Sequence, residues 1–264
     1  MLLLALLCPA QAAAGEPVRL PVIMYHHISK DASRAGDYVV TPELLEGDLR
    51  WLSEHGYTAP STAELIDYCA GRGGLPERPV LLTFDDGQLS VLEYALPLLE
   101  KYDMCAVAAL VGSLCDREAE LSYRSPEYSY LNWAEAAELA ASGVFELAAH
   151  TQAMHEEAYP RRGCLPKPGE GEADYRRALS EDLEAVERSI EAASGARPLV
   201  FAYPYGFHCE AAEALLRERG YALSLTCEER VNTLTGEPEE LFGLARFNRP
   251  AQEGREAFFA RLGM

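Results

Sequence analysis

Val80-Leu-Leu-Thr-Phe-Asp-Asp-Gly87 sets an apolar run against two adjacent carboxylates and a glycine. A run this short, closed by a turn signal, reads as a buried strand from Pro79 to Phe84 rather than as a helix. Asp85 and Asp86 leave the strand at its C-terminal end, and Gly87 permits a tight turn. Two neighbouring carboxylates repel, and each raises the other's pKa unless a cation lies beside them. Successive strand residues point to opposite sides, so the two divide their work: one can ligate a cation while the other faces a reacting water. Taken alone, Asp-Gly is also a common strand-ending turn.

Outward from this strand, apolar runs alternate with amphipathic stretches. On the N-terminal side, Pro21 to Tyr25 reads as a buried strand. Thr41 N-caps a helix with Pro42 at its first position, running to about His55 before Gly56. Ser61-Thr-Ala-Glu64 has the capping-box spacing and opens a second helix. On the C-terminal side, strands are predicted at Ala106–Val111, Val144–Ala149, Leu199–Tyr203, Tyr221–Thr226 and, as a final one, Phe242–Arg246. Helices fall between them at Ser90–Tyr102 (bent at Pro97), Asn132 to Gly143, Asp174–Ala193 and Glu210–Arg219, with a helical tail at Gly254–Leu262. Repeated β-then-α units imply an α/β fold with a parallel sheet. Their number favours a distorted (β/α) barrel of about seven strands over an open sheet. Leu114–Tyr130 and Tyr159–Gly171 break the rhythm after strands and read as lids or substrate-contacting loops.

Composition bounds the function. With 48% apolar residues the chain can bury a sizeable core, and its net charge of −19 repels phosphate backbones and anionic lipid heads. Nucleic acid is therefore excluded as partner, while neutral or cationic polymers remain open. Residues 1–14 hold no charge and end in small residues, Ala12-Ala-Ala14, which reads as a signal peptide cut near Ala14. That run is too short to span a bilayer. The expectation is an exported chain, residues 15–264, forming a single catalytic domain with no transmembrane segment. None of the seven cysteines forms a C-x-x-C pair, so a zinc ribbon and a thioredoxin-like motif are both unsupported. Loss of Cys8 would leave six, permitting disulfides outside the cell without requiring them.

Polar clusters follow the strands: Tyr25-His-His27, Asp85-Asp86, His150-Thr-Gln-Ala-Met-His155, Tyr203-Pro-Tyr-Gly206 and Arg246-Phe-Asn-Arg249. In a parallel barrel all strand C-termini open on one face, where active sites assemble. His150 and His155 would diverge by roughly 140° on a helix, so they converge only from an irregular loop. With an aspartate they make two nitrogens and one oxygen, a set that suits Zn²⁺ and leaves positions open, as a catalytic site requires.

Val80 to Gly87, His150 to His155 and Phe201-Ala-Tyr-Pro-Tyr-Gly206 together resemble the polysaccharide deacetylases of carbohydrate esterase family 4. Pro21-Val-Ile-Met-Tyr-His-His-Ile28 and Leu75-Pro are also similar, so the resemblance covers roughly residues 20–250. The His-x4-His spacing is similar to the branch that includes exported poly-N-acetylglucosamine deacetylases. The resemblance implies a hydrolase that removes N-acetyl groups from an amino-sugar polymer such as peptidoglycan, poly-N-acetylglucosamine or a chitin fragment. It implies Asp85 as catalytic base and Asp86, His150 and His155 as ligands of one divalent metal. Zn²⁺ heads the choice, with Co²⁺, Ni²⁺ or Mn²⁺ also compatible. It implies a Tyr205 backbone N–H, in the turn opened by Pro204, as donor to the oxyanion. Thr151 would steady the histidine loop by hydrogen bonding.

The departures from the family pattern raise questions. Many relatives carry an arginine that orients the base where this chain has Ala202, and Arg246 or Arg249 could replace it from the last strand end. The family's acidic histidine has no match near Leu244, so His26 or His27 is left to protonate the leaving amine or to pack as an ordinary histidine. Tyr123, Tyr128, Tyr130 and Trp133 could stack on sugar rings. A catalytically impaired glycan-binding relative and an O-acetyl esterase are the alternative readings.

Overall fold

The computed structural model describes residues 17–264; the segment read as a signal peptide lies outside the described residues. In chain order the strands are β1 Val18–Leu20, β2 Val22–Tyr25, β3 His27–Ile28, β4 Val39–Val40, β5 Leu81–Phe84, β6 Ala106–Leu110, β7 Phe145–Ala149, β8 Val200–Ala202, β9 Leu223–Leu225, β10 Asn232–Leu234 and β11 Phe247–Asn248. The helices are α1 Pro42–Glu54, α2 Thr62–Cys69, α3 Leu96–Tyr102, α4 Gly112–Glu118, α5 Trp133–Ala141, α6 Glu172–Ser194, α7 Glu210–Glu218 and α8 Arg255–Arg261.

Seven strands pair side by side in the order β11-β2-β5-β6-β7-β8-β9, every neighbour parallel. The sheet curls into the expected distorted barrel without closing edge to edge. The stretch from Leu244 to Arg246 spans the gap between β9 and β11: Leu244 N donates to Ser224 O, Thr226 N to Leu244 O and Arg246 N to Glu228 O. This corrects the final strand expected across Phe242–Arg246. Only Leu244 bridges β9 there, and the seventh strand is Phe247–Asn248 against β2.

Strand periodicity sorts the core into two layers. Leu82 and Phe84 of β5 face outward with Ile23, Ala108, Leu147 and Phe201, under the helices. Leu81 faces the barrel interior with Val22, Val107, Ala148, Val200 and Leu223. Asp85, in step with Leu81 and Thr83, continues the interior row into the mouth. The outer layer is covered by helices whose apolar residues recur at helical spacing: Leu45, Leu49 and Leu52 of α1, and Tyr175, Leu179, Leu183, Val186 and Ile190 of α6. Each such side chain contributes roughly 1.5–3 kcal/mol when fully buried.

The capping signals at Thr41 and Ser61 operate as read, and the helix start at Asn132 is capped as well. Thr41 accepts from Leu44 N, and Ser61 and Asn132 each form a reciprocal capping box with Glu64 and Glu135. The bend in the Ser90–Tyr102 stretch lies upstream of Pro97. A wide π turn at Val91–Ala95 precedes α3, where a ring without N–H interrupts the regular ladder. Part of the stretch read as loop from Leu114 is helix α4, which no side chain caps. The six described cysteines are all free thiols. No helix among the described residues is long and apolar enough to cross a membrane.

Candidate active site

The C-terminal ends of β2, β5, β7 and β8, with the segments flanking β11, border one open cavity of about 700 Å³. His26, Asp85, Asp86, His150, His155, Tyr205, Cys227 and Asn248 contribute to its wall. The five polar clusters separated along the chain thus each reach one mouth.

Asp86, His150 and His155 bring one ligand atom each to within 4.8 Å of one another. Asp86 Oδ1 lies 3.2 Å from His155 Nε2 and 3.7 Å from His150 Nε2. Ligands about 2.0–2.1 Å from a tetrahedral ion sit roughly 3.3 Å apart, so the donor set fits a small divalent cation such as Zn²⁺. His150 is buried, and its Nδ1 lies 2.7 Å from Ala202 O, a contact that makes Nδ1 the protonated nitrogen and leaves the Nε2 lone pair for the site. Burial pushes its pKa down to about 4, so the ring is neutral. Burial opposes charge on His155 and Asp86 too, but their mutual hydrogen bond wins: His155 is raised and Asp86 lowered.

Asp85 points the other way, into the barrel. Arg246 Nη1 donates to its Oδ1 at 2.7 Å and Nη2 to its Oδ2 at 2.8 Å, and both residues are buried. The guanidinium is itself fixed by Nε to Thr226 O at 2.8 Å and Nη1 to Thr83 Oγ1 at 3.2 Å. Burial alone would raise the Asp85 carboxyl; Arg246 overrides it and holds the group well below the usual carboxylate range. Arg249, the other arginine considered for this role, instead pairs with buried Asp48 at 2.8 Å beneath α1.

Three of the four described non-glycine residues with positive φ are site residues: Asp86 (72°), Thr151 (70°) and Tyr205 (56°). The fourth, Asp103, ends α3. Such backbone costs about 1–3 kcal/mol per residue and persists where surrounding contacts impose it. At Gly206 a Cβ would stand 2.7 Å from Cys227 N, so only glycine lets the Pro204–Gly206 turn lie this close to the strand exit of β9. The Tyr205 ring is exposed and sits 4.8 Å from that of His155.

The remaining expected residues separate. His26 lines the cavity, its ring edge against Tyr38, and its buried Nδ1 has no hydrogen-bond partner among the described residues. Burial lowers its pKa. His27 turns onto Ser90 Oγ at 3.2 Å, outside the main cavity. Thr151 steadies the loop through its backbone, accepting from Gly112 N at 3.0 Å, while its hydroxyl is without a partner among the described residues. Trp133 binds Asp116 rather than facing the mouth. Tyr38, Tyr128 and Tyr130 line a side arm of about 280 Å³ that shares His26 and Asp86 with the main cavity.

The sequence model described as polysaccharide deacetylase matches residues 72–224, which include Asp85, Asp86, His150, His155 and Tyr205. This chain belongs to the polysaccharide deacetylase family. Among its relatives is the poly-beta-1,6-N-acetyl-D-glucosamine N-deacetylase of Escherichia coli (strain K12), 29% identical over 225 residues, covering 78% of this chain and 33% of that protein. The protein of the same name from Staphylococcus aureus (strain MRSA252) is 23% identical over 197 residues, covering 75% of this chain and 64% of the relative. The chain therefore spans about a third of the first relative's length and just under two thirds of the second's. Solved structures with the same fold include a de-N-acetylase from Aggregatibacter actinomycetemcomitans, with a TM-score of 0.79 at 24% identity over 92% of this chain and 100% of that one. IcaB from Ammonifex degensii follows with a TM-score of 0.74 at 25% identity, over 92% and 97% of the two chains.

Some residues of this deacetylase-family site were not singled out in the sequence. Asp37, Tyr38, Phe207, Cys227 and Glu229 reach the mouth only through the fold, because no local motif marks them. Asp182, on α6, accepts from Gln152 N and Ala153 N inside the histidine loop, 30 and 29 residues away in sequence.

Proposed function

We propose that this chain is an exported, metal-dependent deacetylase that removes N-acetyl groups from a poly-β-1,6-N-acetylglucosamine-like glycan. One observation carries the reading: a two-histidine, one-carboxylate set and a separate arginine-held carboxylate share one cavity. Asp86, His150 and His155 would hold the ion. When bound, a divalent metal supplies Lewis acidity to the acetyl carbonyl and acidifies the water that attacks it. Asp85 takes that water's proton; Arg246 keeps the carboxylate ionised and aimed at the cavity. The Tyr205 amide donates to the oxygen on which charge develops, and its left-handed backbone orients that donor. His26, whose side chain lines the cavity, meets the substrate there.

Three features favour an extended glycan over a small acetamide. The cavity is open, its side arm is lined by tyrosines, and Tyr38, Tyr123 and Tyr128 are 60%, 75% and 53% exposed. The names of the relatives favour the β-1,6-linked amino sugar.

The test is acetate release from β-1,6-linked N-acetylglucosamine oligomers, chitin oligomers, peptidoglycan and acetylxylan, with chelator and with Zn²⁺ or Co²⁺ restored. Chelator-sensitive release from the β-1,6 oligomers is expected. Release from acetylxylan alone would make the enzyme an O-acetyl esterase, and no release from any glycan by metal-loaded protein would make it a binding relative.

A further inference from the structure

The two histidines of the cavity are not held alike. His150 directly follows β7 and is anchored through its ring to Ala202 O, whereas His155 stands at the far end of an irregular turn. Its ring meets Asp86, itself one of the proposed ligands, at 3.2 Å and the Tyr205 hydroxyl at 3.4 Å, so its position depends on the backbone between Thr151 and Met154. That backbone has a strained start, since Thr151 is a β-branched residue with φ of 70°.

Two elements grip the turn from opposite sides. On the carbonyl side, the first residues of α4 donate: Gly112 N to Thr151 O at 3.0 Å and Ser113 N to Gln152 O at 2.7 Å. The contact is close enough that a Cβ on Gly112 would lie 2.0 Å from Gln152 Oε1. On the amide side, a single carboxylate takes both donors. Asp182 Oδ1 accepts from Gln152 N at 2.8 Å and Oδ2 from Ala153 N at 2.8 Å. Asp182 lies between buried Leu179 and Leu183 on the 23-residue α6, so the grip is referred to a rigid, core-packed helix.

We infer that Asp182 is a positioning residue for the metal centre, holding the turn so that His155 meets Asp86 and His150 around one ion. The inference rests on the metal-site reading proposed above. A carboxylate is required because it presents two acceptors to two successive amides. An asparagine of the same shape has one acceptor, and its NH2 group would face a backbone N–H. Partners that hydrogen-bond the ligands themselves typically set metal affinity by about 10- to 100-fold, and Asp182 acts on His155 through the backbone that carries it.

The experiment compares Co²⁺ binding by wild type and Asp182→Asn, using competition with a chromogenic chelator and the visible absorption of the bound ion. Thermal unfolding in excess chelator is run beside it. A 10- to 100-fold weaker Co²⁺ affinity and an altered Co²⁺ spectrum are expected, in a variant that remains folded without metal at the assay temperature. If Asp182→Asn does not fold, Asp182→Glu is measured instead; it keeps both acceptors but shifts them by one methylene, and a smaller loss with a changed spectrum is expected. Unchanged affinity and spectrum in the folded variant would overturn the role of Asp182 and leave the metal site standing. Failure of the wild type to take up Co²⁺ would overturn the metal site, and this inference with it.

Discussion

Arg246 grips both carboxylate oxygens of Asp85 from the stretch that spans the barrel gap, 161 residues away in sequence. Such a planar fork fixes an orientation that a single ammonium cannot. Arg246→Lys keeps the charge but loses the second hydrogen bond, so the carboxylate is free to rotate. The expected result is a fall in kcat on the order of 100-fold, the scale of a small misplacement of a reacting group, with Co²⁺ affinity unchanged. A variant with wild-type kcat would show that Arg246 only fills the gap.

Asp85→Asn removes the proposed base and gives the guanidinium a single neutral acceptor in place of the carboxylate. Deacetylation should fall by about 100- to 10,000-fold, the usual contribution of a positioned base. Metal binding should persist, because the proposed ligands are Asp86, His150 and His155. Breaking a buried ion pair costs about 3–5 kcal/mol, so the melting temperature should fall as well. Activity must therefore be measured well below the variant's unfolding transition.

The metal should also be visible as stability. A ligand that binds only the folded state at 100 times its Kd adds about 2.7 kcal/mol, or roughly 5–10 °C for a chain of this size. Wild-type protein should lose that increment in chelator and regain it with Zn²⁺. His155→Ala should melt at the same temperature with and without Zn²⁺, and a retained metal-dependent shift in that variant would remove His155 from the ligand set.

How much of this was legible in the sequence follows the range of each interaction. Caps at Thr41 and Ser61 depend on residues within one turn, and both function as read. The two candidate ligand histidines lie in one six-residue stretch, and a strand-ending Asp-Asp-Gly marks the carboxylates. Arg246 could only be offered beside Arg249, because choosing between them needs to know that Asp48 occupies the second. The antiparallel pairing of β1 with β10 joins three-residue strands more than 200 positions apart, too short for periodicity to register. Helix α4 escaped because Val111 offers no capping side chain, and Asp182 because its role is to bind a turn rather than to match a motif.

The tyrosines of the side arm bear on chain length. Tyr123 and Tyr128 lie 6.3 Å apart by ring centroids and are both exposed, next to the arm that runs from Asp86 past Tyr130. Sugars beyond the reacting one would stack there. Tyr128→Ala should lower kcat/KM on longer oligomers by about 2- to 10-fold, the usual worth of one aromatic contact. A short chromogenic acetyl ester that does not reach the arm should be hydrolysed as before. Equal losses on both substrates would assign Tyr128 to the fold instead.

The segment carrying Tyr128 is tied down by its neighbour Glu127, which gives that arm a pH dependence. The Glu127 carboxylate accepts from the Ser29 hydroxyl, from Lys30 N at 3.2 Å and from the Tyr94 hydroxyl at 3.3 Å, and it lies 3.7 Å from Arg34. Burial would raise its pKa, but these donors outweigh burial and lower it. A carboxylate lowered in the folded state contributes stability that is complete above the unfolded value, near pH 4.3, and is lost as pH falls through the folded value. Hydrogen exchange of the Ser125–Tyr130 amides should therefore stay slow and flat above about pH 5, once corrected for intrinsic rates, and lose protection only in stronger acid. Glu127→Gln should be less protected at neutral pH and lose that acid transition, with a higher KM on long oligomers. A flat profile shared by both proteins would mean that Glu127 does not tether the arm.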